Sequence, residues 1–252
     1  MLRPYYPILL ILGFLGALLP RLSYSADSVL LLLTEEWRPY NYRQGDRIIG
    51  IGTELVEATL KRAKVPYKLK MLTWKGAYEQ TLRRPNTLLY TTSRTEKREK
   101  LFHWIGPLFP KRHYLYKLSS RQDIRIKKFD DLKKYRLGVI QGGSTQEYLE
   151  SKGLVEGINF FTVRKSQQNL DKLFRGRVDL IPGADVEFIL QMRETDHDFG
   201  QIQKAFLLIE QGGFYIAANL ETPEPLIQKL QKALDQLLAE GVREKIIVKY
   251  SQ

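Results

Sequence analysis

An α/β fold is what this sequence predicts, and three observations predict it. Apolar, strand-like runs alternate with amphipathic, helix-like segments from Val29 to Thr91. A second alternating series runs from Phe129 to Pro182, and a helix–glycine–helix tail closes the chain. Repeated β–α–β order calls for a parallel sheet with right-handed crossovers. The 252 residues suffice for two modest lobes or one large domain.

The first segment is read as a leader. Arg3 and the apolar run Pro7 to Pro20 have signal-peptide form and are too short to span a bilayer. Ser23 and Ser25 are spaced for cleavage after Ser25, with Ala26 as the alternative, so residues 1–25 are expected to be removed on export to the periplasm. The sequence has no cysteine, which excludes a lipid anchor, disulfides and thiol chemistry.

Val29 to Leu33 is a continuous apolar run, the mark of a strand covered on both faces. The loop Thr34 to Tyr42 follows at its C-terminal end, where open α/β sheets bind ligands. Glu35 and Glu36 point to opposite faces if extended, so one of them can enter a cleft beside Trp37. Gly50, Gly52 and Thr53 open a helix with the apolar stripe Leu55, Val56, Thr59, Leu60 and Ala63. Val65 to Met71 alternates as a strand, Trp74 to Arg83 reads as a second helix, and Thr87 to Thr91 as a third strand.

The stretch Thr91 to Leu108, TTSRTEKREKLFHWIGPL, organises the rest. Ser93 or Thr95 can cap the helical turns of Glu96 to Lys100, and Phe102 and Trp104 return the chain to a core. Such a junction gathers free N–H groups, the hydroxyls of Thr92 and Ser93, and the Arg98 guanidinium, which is what binding a carboxylate requires.

Beyond it, Tyr114 to Leu118 reads as an extended segment, Phe129 to Tyr135 as a short helix and Arg136 to Ile140 as a strand. Gly142 and Gly143 make a turn, and Ser144 or Thr145 caps the next helix. No Gly-Lys-Ser/Thr follows, so this is no Walker-type phosphate loop. Phe160 to Val163 is a strand, Ser166 caps a helix ending near Phe174, and Val178 to Pro182 is a strand with Asp185 just beyond. Ala205 to Ile209 and Phe214 to Ala218 read as strands. A helix starts at Thr222-Pro223, carries the stripe Leu226, Leu230, Ala233, Leu234, Leu237 and Leu238, and yields at Gly241 to a last helix, Val242 to Tyr250.

The formal charge of +12 falls to +10 once Arg3 and Arg21 leave with the leader. A basic balance favours anionic ligands or surfaces. The basic residues are scattered among acids and no nucleic-acid motif occurs, so nucleic acid is not expected as a partner. His103, His113 and His197 lack metal-ligand spacing, and neither a metal nor a cofactor is expected.

The central stretch resembles the signature of periplasmic solute-binding proteins of family 3, which includes the polar amino-acid binders. Thr91, Thr92, Ser93, Thr95, Arg98, Phe102, Trp104 and Pro107 carry the likeness. The resemblance implies a two-lobe type 2 periplasmic-binding fold with a ligand cleft and a two-segment hinge. Lobe 1 would span residues 26–109 plus 213–252 and lobe 2 residues 110–212. It also implies that Arg98 pairs with a ligand carboxylate, that Trp37 or Tyr40 gives apolar contact, and that Trp74 lines the cleft. Gly143, Ser144 and Thr145 match the family's second-lobe turn, with one more residue before it than in amino-acid binders. The family's ammonium-holding aspartate falls at Ala184 by register, with Asp185 one residue late. The implied function is capture of a small anionic solute, an amino acid or related carboxylate, by a monomer serving an ABC-type permease or a sensor. Two alternatives stand beside it. One is a cyclic-acid dehydratase on the same scaffold, with Glu36 or Asp185 as acid or base. The other is a binding module linked to cell-wall metabolism.

Overall fold

The computed structural model describes residues 29–193, 195–210 and 212–251, so the expected leader and its expected cleavage site lie outside the described residues. The chain opens with β1 (Leu30–Glu35), the hairpin β2 and β3 (Tyr42–Gln44, Arg47–Ile49), α1 (Ile51–Arg62), β4 (Tyr67–Leu72), α2 (Trp74–Arg83), β5 (Thr87–Ser93) and β6 (His103–Pro110). It crosses into β7 (His113–Leu118), β8 (Leu137–Ile140), α3 (Ser144–Ser151), β9 (Phe160–Val163), α4 (Ser166–Phe174), β10 (Ile181–Gly183), α5 (Asp185–Met192) and β11 (Ile202–Ile209). It returns through β12 (Gly213–Ala218), α6 (Glu224–Ala239) and α7 (Val242–Ser251).

The first lobe is built on a five-stranded sheet of order β4-β1-β5-β12-β6. β1 pairs in parallel with β4 and β5, and β12 runs antiparallel between β5 and β6. The leucine run of β1 suits an interior strand covered on both faces. Leu30 and Leu32 face α1 and α6 in one core, while Leu31 and Leu33 face Trp74 and Ala77 of α2 in another. Successive side chains point to opposite faces, so only an all-apolar strand satisfies both layers. Truncating Leu32 to Ala would cost about 2–5 kcal/mol. β4 alternates instead, with Lys68 and Lys70 exposed, as an edge strand that discourages further pairing.

The second lobe carries an antiparallel sheet of order β10-β7-β11 and a parallel pair, β8 with β9. A bridge between Leu137 and Leu180 ties the pair to the approach of β10. Its core is divided between clusters around Phe160 and Leu137 and around Tyr116, Leu170 and Phe188.

Several local expectations are corrected. The charged run after Thr95 is a 3-10 turn, Glu96–Leu101, and Thr95 occupies the cap position without a side-chain cap bond. Gly143, not Ser144 or Thr145, sits at the cap of α3, and Lys165, not Ser166, at that of α4. The strand expected over Val178 to Pro182 is shorter and later, at Ile181–Gly183. The stretch around Trp104 is a full strand, β6, held in register by β12, a non-local pairing with no local signal.

Candidate functional site

The two lobes meet over a cavity of about 90 Å³. Its first-lobe wall is set by a bulge in β5. Opposite β12, the register slips between Tyr215 and Ala217, so that Tyr90 and Thr91 face a single residue. Thr91 takes φ +54°, a left-handed conformation costly for a β-branched residue. Its hydroxyl donates to Asn41 Oδ1 at 2.6 Å, which helps hold that conformation. Gly52 makes room, since a Cβ there would lie 2.6 Å from the Thr91 methyl. The bulge re-aims the strand end, and both Thr91 and Ser93 line the cavity.

Two carboxylates line the same space, Glu35 from the end of β1 and Glu187 from α5. Burial, then the Glu187 charge, pushes the Glu35 carboxyl up to about 8, with Arg98 pulling the other way. Burial likewise raises Glu187 to about 7, against hydrogen bonds from the Trp37 side chain, the Ala184 backbone and Gln191. Among the described residues, no lysine or arginine lies within ion-pair distance of either carboxylate. Asn169 Oδ1 and His113 Nδ1, on the same walls, are buried with no hydrogen-bond partner. Burial, then Lys111, drives the His113 imidazole down to about 3, so it is neutral at pH 7.

Arg98 is fully buried and lines the cavity. Its guanidinium packs over the rings of Trp74 at 4.9 Å and Tyr78 at 5.0 Å. Nε and Nη2 both donate to Glu147 Oε1 of α3, at 3.1 and 2.9 Å, and Nη2 also donates to the Gly142 carbonyl at 2.9 Å. Nη1 keeps only a 3.5 Å contact with the Ser93 carbonyl. Gly142, at φ +69°, turns that carbonyl so that it also accepts from Trp74 Nε1 at 2.8 Å. The Ser144 hydroxyl donates to Ser93 Oγ at 3.1 Å and accepts from Lys111 Nζ at 2.7 Å. Burial, then the Arg98 charge, lowers the Lys111 ammonium to about 7, with Glu147 opposing.

Of the residues singled out from sequence, Arg98, Ser93, Trp37, Trp74 and Ser144 line the cavity. Thr92, Thr145 and Asp185 do not. Thr92 lies on the face of β5 away from the bulge, and its hydroxyl donates to the Leu89 carbonyl at 3.1 Å. Thr145 is buried behind the first turn of α3. Asp185 accepts from Tyr116 at 2.6 Å and pairs with Lys204. One helical turn start lets Glu187, two residues on, take the inward place instead. Glu36 likewise faces out and accepts the Arg43 N–H at 3.2 Å. Neither carboxylate named for the dehydratase alternative therefore sits in the cavity. Arg98 itself differs from the expected open anion clamp, because two of its three nitrogens are engaged by the opposite lobe. Sequence reasoning missed Thr91, Asn169, His113 and Glu187 as lining residues; only the bulge and the chain crossing bring them there.

Residues 30–252 match the family model of bacterial extracellular solute-binding proteins, family 3. The chain belongs to this family. A relative is the probable amino-acid-binding protein YxeM of Bacillus subtilis (strain 168), 25% identical over 230 residues, covering 89% of this chain and 84% of that one. Solved structures share the fold. A histidine kinase sensor domain with similarity to periplasmic binding proteins superposes with a TM-score of 0.78 at 18% identity, over 88% of this chain and 96% of that one. An ancestral arginine-binding protein bound to glutamine gives 0.74 at 19% identity, over 88% and 97%. The arginine-, lysine-, histidine-binding protein ArtJ of Geobacillus stearothermophilus gives 0.75 at 18%, over 88% and 94%. The fold is thus the two-lobe type 2 periplasmic-binding fold. Within the described residues, no helix is long and apolar enough to cross a membrane.

Proposed function

We propose that this protein captures a small cationic solute of the amino-acid class, an amino acid or a related amine, in the periplasm. The captured solute would pass to an ABC-type permease or a sensor, with the protein acting as a monomer. One observation carries the reading: Glu35 of one lobe and Glu187 of the other converge on a single cavity, and among the described residues neither has a lysine or arginine within ion-pair distance. Burial without a charged partner favours the neutral acids, and ionising them requires a partner. A ligand cation between the two carboxylates supplies it and touches both lobes at once, which favours the closed arrangement. The aromatic rings of Trp37 and Phe214, 5.0 Å apart, give the apolar wall. The name of the Bacillus relative supports the amino-acid class. Residues 26–109 with 213–252, and residues 110–212, would be the two bodies that move.

Thermal-shift measurement tests this, with amino acids, amines and small mono- and dicarboxylates as probes. A ligand at a hundred times its Kd adds about 2.7 kcal/mol, about 5–10 °C for a chain of this size. Hits are expected among probes bearing a cationic nitrogen and should vanish in Glu35→Gln. Hits confined to dicarboxylates would overturn the reading.

A further inference from the structure

The cavity is lopsided in its hydrogen-bonding capacity. The Arg98 nitrogens that would grip a ligand carboxylate are already engaged by the protein. Every N–H of Arg98 Nε and Nη2 is directed at Glu147 or Gly142. A carboxylate grips a guanidinium through two neighbouring nitrogens, and each such pair includes Nε or Nη2. Only Nη1 is left, so a bidentate grip is unavailable while Glu147 holds its place. Lys111 Nζ directs one donor to Ser144 Oγ, and the Ser144 hydroxyl donates to Ser93 Oγ.

The acceptors are in the opposite state. The Glu35 carboxylate accepts no hydrogen bond from any described residue, and Asn169 Oδ1 is buried without a donor. Glu187 receives its bonds on the protein side yet still lines the cavity. Glu147 does not line it; it neutralises Arg98 from behind, with its side chain only 14% exposed. Glu147 thus offsets the Arg98 charge, and a ligand carboxylate would meet the carboxyl groups of Glu35 and Glu187.

Resting on the cationic-solute reading, we propose that the site takes a cationic amine without a free carboxylate, with Glu147 as the residue that sets this preference. Removing the α-carboxylate from a basic amino acid keeps the donors that Glu35, Glu187 and Asn169 need and discards the group with no partner.

Calorimetric titration of the purified protein with matched pairs tests this: L-arginine against agmatine, L-lysine against cadaverine, L-ornithine against putrescine. In at least one pair the amine is expected to bind tenfold or more tightly than its parent amino acid. In Glu147→Gln and Glu147→Ala, circular dichroism and melting first establish that the variant is folded. Release of Arg98 should then improve the amino acid's affinity and shrink the preference at least fivefold. An amino acid that binds as tightly as its amine, or more so, would overturn the inference while leaving capture of a cationic solute standing. A preference unchanged in folded Glu147 variants would overturn the role of Glu147. If no amine or amino acid binds, both this inference and the cationic-solute reading fall.

Discussion

Asp179 and the pair Glu35 and Glu187 put the same functional group in two opposite settings. Asp179, on the approach to β10, accepts from Arg121 Nη1 at 3.0 Å, from Arg136 Nε and Nη2 at 3.1 Å each, and from the Arg136 backbone at 2.9 Å. Burial works against its ionisation, but the hydrogen bonds from Arg136 and Arg121 outweigh it and hold the carboxyl below the usual range. Glu35 and Glu187 have no ion-pair partner among the described residues, so burial pushes both up. Burial alone therefore does not mark a functional carboxylate; burial without a partner does. Asp179 knits β8 to the turn before β10. The glutamates, pushed toward the neutral acid, lack a charged partner in a space a ligand can reach.

The largest effect is expected at Asp179. Asp179→Ala removes the acceptor shared by Arg121, Arg136 and the Arg136 backbone and should cost about 3 kcal/mol, a fall of about 6–12 °C in Tm, with ligand affinity in the surviving folded protein unchanged. Loss of affinity without loss of stability would reverse the assignment.

Glu35→Gln and Glu187→Gln should do the opposite. Ligand-free stability at pH 8 should hold or rise, because an unpaired buried charge is removed. Binding of a cationic probe should weaken about a hundredfold, about 2.7 kcal/mol, as read by calorimetry.

The pH dependence sharpens the contrast. The usual glutamate value is 4.5, and the folded values are about 7 and 8. The two glutamates thus contribute stability that is full below pH 4.5 and is lost as pH rises through 7 and 8. Asp179 contributes stability at neutral pH that is lost only as acid protonates it. Cation binding should run against the glutamate trend. It should gain up to about tenfold per pH unit for each proton released between pH 6 and 8. Affinity that is flat over this range would remove the glutamates from the site.

The smallest expected effect concerns closure. Trp74→Phe deletes the 2.8 Å hydrogen bond from one lobe to the Gly142 carbonyl of the other. A loss of about 1 kcal/mol should weaken binding about fivefold and shift the population toward the open form in small-angle scattering. No change in either would limit Trp74 to packing.

Much of the frame was legible in the sequence because its signals are local. The leucine run of β1, the stripe of α6 and the cap glycine Gly241 each report burial or backbone shape within a few residues. Trp37, Trp74, Ser93 and Arg98 were legible as cavity residues through the strand–turn junctions that carry them, and Glu35 as one of two adjacent candidates. The amino-acid order by itself determined an α/β chain whose strand ends gather aromatics, hydroxyls and an arginine. Only the tertiary structure decided what those groups do. The bulge at Thr91, the inward turn of Glu187 rather than Asp185, and the claim of Glu147 on Arg98 all join residues far apart in the chain. Whether a charge is paired is a property of its neighbours in space. For that reason the sequence pointed to an anion clamp, and the packed lobes present two carboxylates without a cation.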